Sequence, residues 1–230
     1  YPEVRRLMVD LFSEMGRHYD LDGVHMFFCR GVPFVFFEPP FLDAFEKEYG
    51  QDPRGLPLDD ERVWRVRSRF VLQYLRELRA ALDAIGKEKG RRLEVALTVM
   101  NSPRSCLFYG MDIEAMVRER LVDTLIPSDA HYLPRSIGPW HCTPETAAEF
   151  VRLTRGSGIQ IRPICGTQYL EKNVPLPELA AAYYAAGVDG LQVGPGSATR
   201  KAYAVNRRLG HAADLAQWRE WEKEGGRLVR

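Results

Sequence analysis

The chain has 230 residues and is 45% hydrophobic, enough to bury one large core or two small ones. Its 32 Lys and Arg offset 31 Asp and Glu to a net charge of +1, which gives no reason to expect nucleic acid or an anionic membrane as partner. No run approaches the ~20 apolar residues of a membrane span.

The chain opens on "YPEVRRLMVDLFSEMGRHYD", a helix in mid-flow with no initiator Met. Upstream sequence, with any targeting segment, is therefore expected to be missing, and localisation stays open beyond a soluble chain without a visible signal peptide. Apolar Val4, Leu7, Met8, Leu11, Phe12 and Met15 recur every three or four residues along that helix. Residues 23–29 follow as a strand whose near-continuous hydrophobicity predicts burial on both faces. A proline-rich loop and a short helix over 41–49 lead to the amphipathic "LDDERVWRVRSRFVLQYLRELRAALDAIGKEKG", which turns Val63, Val66, Phe70, Leu75, Leu78 and Leu82 to a core and ends in a glycine turn. "RLEVALTVMNS" is the next strand, "DIEAMVRERLV" a helix, "DTLIPSD" a strand, and "TPETAAEFVRLTRGSG" a helix capped by Thr143 with Pro144 in its first turn. "IQIRPICG", "PLPELAAAYYAAG" and "VDGLQVGPG" give strand, helix, strand, before closing helical material.

Five strands, beginning near Gly23, Leu93, Asp123, Ile159 and Asp189, each followed by helix, imply parallel βαβ units in a single domain over 1–230. A doubly wound sheet and a (β/α)8 TIM barrel both fit. The barrel is favoured by Asp-Gly at two strand entrances and by the lack of a glycine-rich dinucleotide loop after the first strand. A barrel needs eight strands, so five make it an incomplete one, with about three N-terminal units missing.

A barrel's chemistry lies where its strands end. Those ends offer Arg30 and, past a loop, Glu38; then Asn101; then Asp129, His131, Trp140 and His141; then Cys165, Gln168 and Tyr169; and finally Gln192 with "GPGSATR". Arg30 presents a planar donor fork to an anionic or hydroxylated ligand, or forms a salt bridge at the rim. Glu38, between Phe37 and Pro39, is set to be a general acid if its cleft is dry, and an ordinary loop glutamate if not. Asp129 is a strand-terminal carboxylate or an Asx-turn partner. Tyr132, Trp140 and Tyr169 make a sugar-stacking platform or simply pack their loops. His131 and His141 around Asp129 match no ligand spacing, so neither metal nor cofactor is expected. The final glycine loop is a phosphate cradle or a tight turn. The four cysteines, Cys29, Cys106, Cys142 and Cys165, show no zinc or redox spacing and read as free thiols.

"YDLDGVHMFFCRG" resembles the "YD-x-DG-(I/V)-x-x-D-x-x-R" strand of family 10-like glycosyl hydrolases, which are (β/α)8 barrels. "EPPFLDAFEKEYGQDPR", "RSRFVLQYLRELRAALD", "LVDTLIPS" and "AAAYYAAGVDGL" extend the likeness over most of the chain, as roughly the fourth to eighth units. The resemblance implies a carbohydrate-active hydrolase, a glycosidase, with Arg30 matching the family arginine and a sugar as partner. Phe27, however, stands where the family carries aspartate, and glycoside hydrolysis normally uses two carboxyl groups. Either Glu38 and Asp129 form the catalytic pair, with Arg30, Asn101, His131, Trp140, Gln168, Tyr169 and Gln192 holding the sugar, or the chain binds carbohydrate without hydrolysing it. A lyase or isomerase using the final glycine loop for a phosphate ligand is the third reading.

Overall fold

A computed structural model describes residues 1–28, 34–129, 133–138, 140–165, 176–193 and 208–223. Helix α1 (Pro2–His18) precedes strand β1 (Gly23–Phe27). Next come α2 (Pro39–Tyr49), a 3-10 turn, and the 29-residue α3 (Glu61–Lys89). Strand β2 (Glu94–Val99) leads through α4 (Pro103–Phe108) and α5 (Ile113–Arg118) to β3 (Thr124–Pro127). Helix α6 (Pro144–Thr154), β4 (Gln160–Ile161) and α7 (Leu176–Ala185) complete the regular part, followed by two short helices.

Local chemistry sets several of these ends. The Asp60 carboxylate accepts from the Arg62 amide at the start of α3, and Gly90 closes that helix in the left-handed conformation, at φ 69°. Thr143 and Thr146 cap one another reciprocally at the start of α6, with Pro144 in its first turn. Helix α4 was not foreseen; Ser102 caps it and Pro103 opens it.

The four strands are parallel and lie in chain order, β1-β2-β3-β4. The fifth expected strand is present only as one parallel bridge, Ile164 to Gln192, beside the two-residue β4. A doubly wound sheet reverses its strand order partway, and no reversal occurs among the described strands. Right-handed crossovers in an unreversed order place every connecting helix on one face. The register agrees: Val24, Val95, Leu97, Leu125 and Ile161 align on one side and are buried, and Met26 on that side receives the Tyr74 hydroxyl of α3. Helix α3 fills the layer with buried Trp64, Val66, Leu75, Leu78, Leu82 and Ile85. Each such side chain contributes about 1.5–3 kcal/mol by leaving water.

One expectation fails at the first strand. β1 is not buried on both faces: Val24 and Met26 are buried, whereas His25 and Phe27, facing the other way, are exposed, Phe27 to 65%. The reason is strand alternation: Val24 and Met26 face the helix layer, and His25 and Phe27 the opposite face of the sheet. Helix α1 packs on α3 through a narrow face around Ser13 and Gly16, with Arg5 paired to Glu77. Its Val4, Leu7, Met8, Leu11 and Met15 point outward, Leu7 being 67% exposed.

Asp-Gly at a strand entrance has a steric cause in one of its two occurrences. A Cβ on Gly23 would lie 2.3 Å from the Glu94 carbonyl oxygen of the paired strand, whereas one on Gly190 would meet nothing nearer than Arg162 Cγ at 3.7 Å. Gly23→Ala should therefore cost about 1–3 kcal/mol in denaturant unfolding, through the strand shift it forces. Gly55→Ala, with no neighbour within 4 Å, is the matched control. Equal stability of the two variants rejects the steric account.

His25 predicts a pH effect. Its ring shares a 2.7 Å hydrogen bond with Thr98 Oγ1, and partial burial lowers its pKa from the ordinary 6.5. The unfolded chain then binds the proton more readily, so stability is complete above pH about 6.5 and falls as the pH drops below it. Denaturation at pH 5 and pH 7 should show this slope, diminished in His25→Gln.

Candidate functional site

The C-terminal ends of β2 and β3 come together around one peptide. Ser128, just past β3, donates both its amide and its hydroxyl to the Val99 carbonyl at 2.9 Å, keeping the two strand ends level. Beyond them the chain leaves as a loop and returns through Trp140, His141 and Cys142 to the start of α6. Fully buried Asn101 donates from Nδ2 to the His141 carbonyl at 3.1 Å. The Cys142 amide donates to Asp129 Oδ1 at 2.9 Å, and the Tyr183 hydroxyl of α7 donates to the Cys142 carbonyl at 2.8 Å. Three elements thus fix the backbone of residues 141–142. Asn101→Ala should loosen it and cost about 1–3 kcal/mol, because the His141 carbonyl loses its donor; an unchanged unfolding midpoint counts against the anchoring role.

On this support two side chains face outward. His141 Nδ1 lies 3.2 Å from Asp129 Oδ2, with the imidazole 60% exposed and the carboxylate only 15%. Trp140, 40% exposed, donates its indole N–H to the Leu133 carbonyl at 2.6 Å, and the Arg135 guanidinium stacks 4.6 Å from the ring centre. Cys142 adjoins His141 but is no nucleophile. It is buried, and that burial pushes its thiol up to about 11, as it pushes Cys165 up to about 12 and raises Cys106. All three are free thiols; Cys29 lies outside the described residues.

Glu38 sits elsewhere. It is the residue before α2, where Pro39 and Pro40 take the first helical positions and its own carbonyl accepts from the Phe41 and Leu42 amides at 2.9 and 3.0 Å. Its side chain makes no capping bond and is exposed. The partly dry cleft expected around it is absent. The apolar run before it splits instead: Phe36 and Phe37 are exposed, while Phe34 and Val35 line a cavity of about 550 Å³ beside β1. Glu38 lies on the wall of that cavity, with Phe28 and Tyr74 among the other lining groups.

Gln192 reaches the sheet through backbone bonds, from its amide to the Pro163 carbonyl and to its carbonyl from the Cys165 amide. Arg30, His131, Gln168 and Tyr169 lie outside the described residues, as does the glycine loop over 194–200. The residue that sequence reasoning missed is His141 as Asp129's partner, having weighed it only as a metal ligand. Its signal was the return of the loop to a Thr-Pro helix start, which brings the preceding residues back to the strand ends.

No protein-family model and no curated protein matches the chain. Among solved structures it is similar to a glycoside hydrolase family 18 N-acetylglucosaminidase from Paenibacillus barengoltzii, at 17% identity and a TM-score of 0.38, covering 70% of this chain. The chain spans 44% of that protein's length. Among the described residues, no helix is long and apolar enough to cross a membrane.

Proposed function

We propose that the chain is a glycoside-hydrolase-type protein, part of a (β/α)8 barrel, that holds a carbohydrate at the C-terminal ends of its strands. The observation that carries this is the pinned Trp140 standing beside the Asp129–His141 pair, an apolar ring and an oriented polar group on one fixed peptide. Sugars present flat C–H faces and hydroxyl edges, which such a combination meets at once. The unreversed strand order and one-sided helices support the barrel. Asp129, held at the β3 side against the Cys142 amide, is the carboxylate of the site.

Tryptophan-fluorescence titration with cello-, xylo-, malto- and chito-oligosaccharides tests the reading. At least one series should bind, and Trp140→Ala should weaken it by about 10-fold, or about 1.4 kcal/mol. No binding across the panel rejects it. A sugar-binding protein without hydrolysis is the second reading, favoured by exposed Phe27, an aromatic in place of the family's aspartate. Reducing-sugar release separates the two. In an active enzyme Asp129→Asn should lower turnover by at least ~100-fold.

A further inference from the structure

We propose that His141 is the general base of this site and that Asp129 is its positioning residue; the inference rests on the carbohydrate reading above. Asp129 has one carboxylate oxygen on the Cys142 amide and the other on His141 Nδ1. A carboxylate held in this way is less suited to attack a sugar itself than to orient the ring. With Nδ1–H donated to Asp129, the neutral imidazole keeps its lone pair on Nε2. The imidazole is the more exposed partner, 60% against 15%, so the carboxylate is covered while the ring faces outward. Asn101 and Tyr183 fix the adjoining carbonyls, which gives the ring a rigid seat of the kind that positioned catalytic groups require.

In the reaction, Nε2 takes a proton from water as the water oxygen bonds to the anomeric carbon. The glycosidic C–O bond breaks with its electron pair on the leaving oxygen, which takes a proton from solvent. The products are a sugar hemiacetal and an alcohol, and the imidazolium returns its proton to solvent. Displacement in one step inverts the anomeric centre.

Two measurements test this on the intact chain. Diethyl pyrocarbonate should acylate His141 at pH 8 at least ~5-fold faster than exposed His18 or His211, and Asp129→Asn should remove the advantage. Equal rates overturn the oriented base. On whichever oligosaccharide is hydrolysed, His141→Gln should lower kcat by ~100-fold with KM nearly unchanged, and added imidazole should restore part of the rate of His141→Ala. Proton NMR should show the inverted anomer first. A retained anomer, or full activity in His141→Gln, overturns the proposal while leaving the carbohydrate reading intact. If no oligosaccharide is cleaved yet His141 shows the Asp129-dependent fast acylation, the hydrolase reading fails and the oriented base stands.

Discussion

Arg67→Ala is expected to lower the unfolding free energy by about 2–4 kcal/mol, measured in urea or guanidinium. Arg67 is buried in α3 with no carboxylate partner among its hydrogen bonds: Nε donates to the Val35 carbonyl and Nη1 to the Phe108 carbonyl, both at 2.8 Å. Burial pulls its guanidinium down to about 10, so its charge is carried at a cost that these bonds offset. Its stem also fills space against Gly110, whose added Cβ would stand 2.8 Å from Arg67 Cγ. Alanine removes stem and donors together, leaving a void and two acceptors to be rehydrated. Arg67→Met keeps most of the stem and should lose only about 1–2 kcal/mol. If the two variants are equally destabilised, packing is irrelevant; if neither is, the arginine is an ornament of the fold. Val35 belongs to the segment leading into α2, so Arg67→Ala should also slacken that segment.

Asp123→Ala should cost about 3 kcal/mol. This aspartate stands at the opposite, N-terminal end of the sheet. Its Oδ2 accepts the Val95 amide at 2.8 Å and Arg79 Nη1 at 3.2 Å, and its Oδ1 accepts Arg92 Nε at 2.8 Å. Arg79 is buried, so removing Asp123 leaves a strand amide without its acceptor and weakens the pairing of a dehydrated guanidinium. Asp83 still holds Arg79 at 2.8 Å, which limits the loss. Asp189 repeats half of the arrangement, accepting the Ile161 amide at 2.8 Å across the same 28-residue separation. Asp189→Ala should therefore cost only about 1–2 kcal/mol. Comparable losses at both sites contradict the weight given to Arg79.

These two aspartates also show what the sequence could disclose. Asp123 directly precedes β3, and Asp189 the stretch that bridges at Gln192; their rhythm with the helices, together with the Thr143-Pro144 and Gly90 helix ends, made a parallel α/β sheet legible. Each signal is local, written within a few residues. What stayed hidden depends on distant partners. β1 is apolar enough for burial on both sides, yet only Val24 and Met26 face the helix layer. The stripe on α1 is a sound amphipathic signal whose direction periodicity alone does not give, because the helix meets α3 through Ser13 and Gly16. Glu38 was placed in a dry cleft on the strength of its phenylalanine neighbours, but consecutive residues diverge at a helix start, and Phe36 and Phe37 turn to solvent with it. Asp129 was legible as a strand-end carboxylate. Its pairing with His141 was not, since twelve residues of loop separate them and only the folded return closes the gap.

The open side of β1 has a practical consequence for handling the protein. Among the described residues β1 is an edge strand, and such an edge, flanked by the outward leucines and methionines of α1 and by Phe27, is a template on which further chains can assemble through backbone bonds. None of the devices that usually blunt such an edge, a proline, a bulge or an inward lysine, occurs within Gly23–Phe27. Light scattering should therefore rise steeply with protein concentration, and a lysine at Phe27 should suppress it without weakening the buried layer behind. Until that is done, assays belong at low concentration, where a loss of signal reports on the site rather than on precipitate.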